Sequence, residues 1–346
     1  MTLSVLAGIQ KPGADSVTLH MTTQTPLYTG GIGQWGDQVH PSGLLGSLRH
    51  FSCLVARTLG DAEFEKAVWG EAGASQADTH AKRVALHWDT SNLHRVVLPE
   101  RLLFPREDKE KSTRGWYFNQ AKQGTLKLTL IRRGISNTHW NLLLLALRIQ
   151  TRHATLGAKD QFGLGVLACD SLPKVSPLNE STAYSSTGFN LQRCAFGGLV
   201  LRRPLRNFDD FNRNRELALR LGLSCRIALR DALRPSSDAS TTEQDKWKRI
   251  RHRLMGSMNE CGSAVNVSAA YAPEDGGNAA EIRLFVQLRL DDGAERMEVM
   301  KRFGPALAKV EVDGWGANPV QWEYGGSFGG LKHQGKWLNK LAGLSL

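Results

Sequence analysis

Two short stretches of strict alternation constrain this chain most. Over residues 16–24, Val17, Leu19 and Met21 fall on one side and Thr18, His20 and Thr22 on the other; over 125–131, Leu126, Leu128 and Leu130 do the same. A period of two gives each stretch one apolar and one polar face, so both are predicted strands of a sheet covered on one side only. Helical spacing follows each of them. Pro26 ends the first strand, and after a glycine loop Leu44, Leu45, Leu48, Phe51, Val55 and Leu59 recur at helical intervals, from a Ser42 cap to a stop at Gly60. Behind the second strand a helix is predicted over 138–151 and a short strand over 164–169. One-sided strands interleaved with one-sided helices bury their apolar faces by stacking the helices on the sheet.

The stretch 71–122 is polar, His-rich and charged, with strand candidates at 83–88 and 101–104 and a loop at 106–114. It reads as an insertion. The order strand, helix, strands, helix, strand predicts an α+β class, with an antiparallel sheet backed by two helices as in ferredoxin-like or RRM-like units. Pro173 and Pro177 among Ser and Thr mark a linker. A second unit follows, with a strand at 194–201, a helix at 209–233, a basic helix at 246–258, strands at 265–271 and 281–290, and helices at 294–310 and 335–341. The expected division is a first unit over 1–172, a linker over 173–188 and a second unit over 189–346. A chain of 346 residues is long enough for two cores.

Charge narrows the partner. The formal net charge of +11 implies an anionic one, either nucleic acid or an anionic membrane surface. The longest apolar run, 142–147, is far short of the roughly 18 residues that cross a bilayer. Residues 1–9 lack the basic lead of a secretion signal, so a cytoplasmic protein without a membrane partner is expected. The five cysteines are scattered with no Cys-x-x-Cys pair, and the ten histidines form no His-x-x-x-His pair. Neither a disulfide framework, a metal site nor a cofactor is expected. Gly31-Ile32-Gly33-Gln34-Trp35-Gly36 has dinucleotide-site spacing, but Pro41 separates it from the helix start. Residues 330–336 have phosphate-loop spacing, but Trp337 stands where a Ser or Thr is needed.

What remains suits a polyanion. Gly30 and Gly31 in the first loop, and Gly157, Gly163 and Gly165 in the second, let backbone amides approach a phosphate without a Cβ in the way, and the start of the helix at Ser42 adds unpaired amides. His40, Arg49, Lys159 and Gln161 lie beside these loops, and Phe162 can stack on a base. The alternatives are tight turns for the glycines and a core position for Phe162. Arg132 and Arg133 end a strand. Lys246, Lys248, Arg249, Arg251 and Arg253 crowd one helix as either an RNA-facing surface or a solvated face, and Arg202, Arg203 and Arg206 form a weaker group. His20 or His40, with Lys159 or Tyr28, could also serve as acid and base in a metal-independent endoribonuclease. A basic membrane-surface or scaffold protein would need an amphipathic basic helix rich in Trp or Phe, and none is present.

Thr25-Pro26-Leu27-Tyr28-Thr29-Gly30-Gly31, the block from His40 to Arg49, Val68-Trp69-Gly70-Glu71, and Gly157-Ala158-Lys159-Asp160-Gln161-Phe162-Gly163-Leu164-Gly165 together resemble the RAMP superfamily of CRISPR effector subunits, in particular the first subunits of type III-B Cmr modules. The resemblance covers the first half. In the second half it reaches only the coarse order and Trp315-Gly316. It implies two tandem ferredoxin-like RAMP units and a noncatalytic RNA-binding role at the end of a ribonucleoprotein. The implied partners are guide RNA near its 3′ part, target RNA and other effector subunits. His40 stands where the family often has arginine, so a phosphate contact there would be neutral or would titrate near ~6.5.

Overall fold

A computed structural model describes residues 16–28, 39–71, 80–98, 120–157, 163–179, 188–204, 211–256, 262–273, 279–324 and 334–344. The two alternating stretches become β1 (Ser16–Thr23) and β4 (Gln120–Arg132), antiparallel neighbours with Leu19 opposite Leu128 and Met21 opposite Leu126. β2 (Val84–Asp89) flanks β4, and β5 (Leu167–Cys169) flanks β1, giving the antiparallel order β2-β4-β1-β5. β3 (Leu93–Val97) pairs with the first half of β4. The stretch read as an insertion thus supplies two strands to the sheet; its other strand candidate, 101–104, lies outside the described residues.

The apolar face of this sheet is covered by α1 (Pro41–Thr58) and α3 (Asn137–His153), with the short α2 (Phe64–Trp69) beside them. α1 begins one residue before the expected cap. His40 is the N-cap, in extended backbone and without a capping side chain, and Pro41 takes the first helical position, where its missing N–H and fixed φ cost nothing. Ser42 is exposed inside the first turn. α3 is capped by Ser136, whose Oγ accepts from His139 N at 3.1 Å. Leu142 to Leu147 are all buried, because α3 is covered on several sides.

The second unit runs β6 (Cys194–Pro204), α4 (Phe211–Ala232), α5 (Thr241–Met255), β7 (Val265–Val267), β8 (Ala279–Gln287), α6 (Gly293–Ala308), the ribbon β9 (Glu311–Val312) and β10 (Trp315–Gly316), then β11 (Gln321–Tyr324) and α7 (Gln334–Leu341). Ser240 caps α5, so this helix starts five residues ahead of the basic helix expected over 246–258. The four-stranded sheet has the antiparallel order β11-β6-β8-β7. With β3, which pairs only with β4, set aside, the strands of each sheet numbered in chain order read fourth, first, third, second. This is the ferredoxin-like order, twice, in an α+β chain. No helix among the described residues is long and apolar enough to cross a membrane.

The two cores interlock. Trp337, Leu338 and Leu341 of α7 pack in the first core with Phe196 and Phe285, while Tyr28, Val96 and Leu164 pack in the second. Fully buried Asn339 reaches the expected linker, where its Oδ1 accepts from Leu178 N and its Nδ2 donates to Leu178 O, both at 2.9 Å. Arg148 Nε donates to Ala342 O at 3.0 Å, and Arg283 Nη1 donates to Thr151 O at 2.6 Å.

Candidate nucleic-acid interface

The two glycine motifs, more than a hundred residues apart, meet at one place. Gln24 N donates to Val166 O at 2.9 Å, Gly165 N to Pro26 O at 3.0 Å, and Val166 N to the buried hydroxyl of Thr25 at 3.0 Å. Leu27 exchanges a pair of backbone bonds with Lys122, at 2.7 and 2.9 Å. Thr25 therefore serves as a hydroxyl that ties β1 to the second loop, and Pro26 leaves a carbonyl for Gly165. Residues 29–38 depart from Tyr28 and residues 158–162 from Gly157, and these two points touch: a Cβ on Gly157 would lie 2.7 Å from Tyr28 O. Gly30, Gly31, Lys159, Gln161 and Phe162 belong to those departing segments and lie outside the described residues.

Three glycines of the second motif owe their identity to packing inside the protein. Gly157, Gly163 and Gly165 have φ of 110°, 86° and 88°, which side chains rarely adopt. Gly163 lies against the backbone of Ala269, whose N–H donates to Gly163 O at 3.1 Å, and Gly165 lies against the Leu156 carbonyl. The stem is thus bonded to both units.

The expected cations are dispersed. Arg49 chelates Glu65 Oε1 through Nε (3.2 Å) and Nη2 (2.9 Å), and Arg57 holds the other oxygen at 3.0 Å. Burial pushes the Glu65 carboxyl up, but the bonds and charges of Arg49 and Arg57 outweigh it and hold the group below its ordinary value. Arg132 Nε donates to Ile135 O at 2.6 Å, bracing the turn into α3, while Arg133 is exposed. On α5, Lys246 pairs with Glu298 at 2.8 Å and Arg249 with Glu295, whereas Lys248 is exposed and Arg251 half-buried. Arg230 and Arg234, exposed at the end of α4, escaped the sequence reading; their i, i+4 spacing near the end of a predicted helix was the available signal.

His20 lies on the open polar face of the first sheet, across from Lys127, which in turn faces Asp89. These three residues, with Thr22, Asn92, Thr125 and Asp170, line a cleft of about 320 Å³. Neither Tyr28 nor His40 lines it. Tyr28 is buried, and burial pushes its phenol up to about 12, far from a useful acid or base near neutrality. His40 sits apart from the open face, at the start of α1.

No family model matches the sequence, and no curated protein matches it. Among solved structures the chain is similar to Cmr1 from Pyrococcus furiosus in its apo form, at 12% identity over 81% of this chain and 90% of that one, with a TM-score of 0.44. It is also similar to a chain of type III-B Cmr-beta bound to cognate target RNA and AMPPnP in the presence of ssDNA, at 11% identity, 84% and 99% coverage and a TM-score of 0.48. A further Cmr-beta structure with cognate target RNA gives 10%, 85% and 100%, and 0.45. The fold of this chain is thus a ferredoxin-like sheet repeated twice, with its two glycine motifs meeting at one place.

Proposed function

We propose that this chain is a noncatalytic RNA-binding subunit of a type III CRISPR ribonucleoprotein, holding the backbone of guide RNA, target RNA or both near the guide 3′ end. The observation that carries this reading is the convergence of the Thr25-Pro26 and Gly157–Gly165 motifs, which starts both glycine segments from adjoining points. Gly30 and Gly31 belong to the first of these segments, and Lys159, Gln161 and Phe162 to the second. His40, Ser42 and the amides opening α1 add donors after the first loop. Backbone contacts of this kind carry no sequence information, so sequence choice falls to base pairing with the guide. Cleavage belongs to other subunits.

The test is ultraviolet crosslinking of RNA to the chain in its purified assembly, with and without Lys159→Glu. Crosslinked peptides should fall within 29–38 and 158–162, and the variant should lose them at moderate salt. Repeat RNA cut at fixed positions in EDTA, with the cutting abolished by His20→Ala, would replace this reading with the endoribonuclease one.

A further inference from the structure

The basic segment of α5 divides in two on folding. Lys246 and Arg249 turn toward α6, onto Glu298 and Glu295, and Arg253 lies 3.8 Å from Asp291 just ahead of that helix. Arg251 is one helical turn beyond Trp247, the residue through which Arg302 joins α5 to the end of α4, and it feels the charges of Arg230, Arg234 and Asp231 there; Asp231 is 2.9 Å from Arg234 Nε. Burial, followed by the charges of Arg230 and Arg234, holds the Arg251 guanidinium below the usual arginine range. The corner is closed by Arg302. Its guanidinium stacks 3.5 Å over the Trp247 ring and donates to the carbonyls of Ala232 and Arg234, at 3.4 and 3.3 Å. The carbonyl end of α4 is thereby capped by a cation, and among the described residues the charges that act on Arg251 here are Arg230, Arg234 and the Asp231 carboxylate.

Such a cluster costs stability through like-charge repulsion, and a bound polyanion offsets that cost. Guanidinium forks suit the paired oxygens of a phosphodiester. Position supplies a second reason. Gly222 of α4 packs on Ser268 and Ala269, the segment that also holds Gly163. From Gly222 to the corner at Ala232 is ten residues of helix, about 15 Å. α4 therefore runs from the stem of the glycine loops to the arginine corner. Resting on the function proposed above, we infer that an RNA strand held at the glycine loops continues along α4, and that Arg230, Arg234 and Arg251 grip its phosphodiester backbone.

The test is fluorescence anisotropy of labelled single-stranded RNA over a range of KCl concentrations, using the full chain. Replacing Arg230, Arg234 and Arg251 together by Gln should weaken binding about 10-fold or more at moderate salt. The slope of log K against log salt should become shallower by about 0.7 for each phosphate that the protein no longer neutralises. The thermal midpoint should hold or rise, since repulsion is relieved. Replacing Lys246 and Arg249 by Gln should instead lower the midpoint and leave the slope unchanged. Unchanged affinity and slope in the triple variant, with RNA binding still abolished by Lys159→Glu, would overturn the arginine corner and spare the loop reading. Absence of RNA binding by the unaltered chain would remove both. Polyglutamate binding that depends on the trio, alongside RNA binding that does not, would show the corner to be a protein-docking site and overturn the inference.

Discussion

Gly165 shows how a single missing side chain holds the candidate interface together. At φ +88° a methyl group would be strained and would also press on the Leu156 carbonyl. Gly165→Ala should therefore destabilise the chain by about 1–3 kcal/mol, read as a fall in thermal midpoint. The glycine-rich character of this loop was plain from sequence, but the reason for each glycine was not. A phosphate ligand and a close backbone neighbour demand the same absent Cβ, and only the fold shows that the neighbour is Leu156, Ala269 or Tyr28. His153 carries a prediction of another kind. Burial pushes its imidazole down to about 4, although Nε2 bonds to Leu341 O at 2.9 Å. As pH falls below 6.5 the unfolded chain takes up a proton that the folded one refuses until about pH 4, so stability is full above 6.5 and drains away below it. His153→Gln keeps an N–H for the carbonyl and cannot titrate. Chemical denaturation across pH 4–7 should show roughly 2–3 kcal/mol less acid sensitivity in that variant.

Elements with their own periodicity were legible, and elements defined by a distant partner were not. β1, β4, α1 and α3 follow from alternation or helical spacing within a few residues. β3 did not show itself because Leu93-His94-Arg95-Val96-Val97 lacks a one-sided pattern: Val96 is buried and Val97 is 55% exposed. Its identity as a strand comes from pairing with β4. The start of α1 was readable, since Pro41 favours the first helical position over Ser42 as a cap. The neutralising partners of Lys246 and Arg249 were invisible because Glu295 and Glu298 lie on a helix some fifty residues away. α7 depends on one buried amide. Asn339→Leu would strip both bonds from the half-buried Leu178 backbone and leave its N–H and C=O without those partners. A loss of about 2–4 kcal/mol in urea unfolding is expected, while a solvent-facing change such as Lys336→Gln should stay within ~0.5 kcal/mol.

At the scale of the whole molecule, two sheets of one topology share their cores. Composition marked 173–188 as a boundary, and Pro, Ser and Thr there do lack periodicity, but the same stretch contains Leu178, which Asn339 fastens to the first core. Interlocked cores predict one cooperative transition for the full chain by near-UV and far-UV circular dichroism alike. A fragment of residues 1–188 should show no cooperative transition of its own, because Phe196, Phe285 and Trp337 are missing from its interior. The docking of α7 also sets a schedule for biosynthesis. About 180 residues separate the end of α3 from the helix that covers it, which at roughly 5–20 residues per second is some 10–40 s of translation. Through that interval the side of α3 that α7 covers in the finished fold waits without its lid.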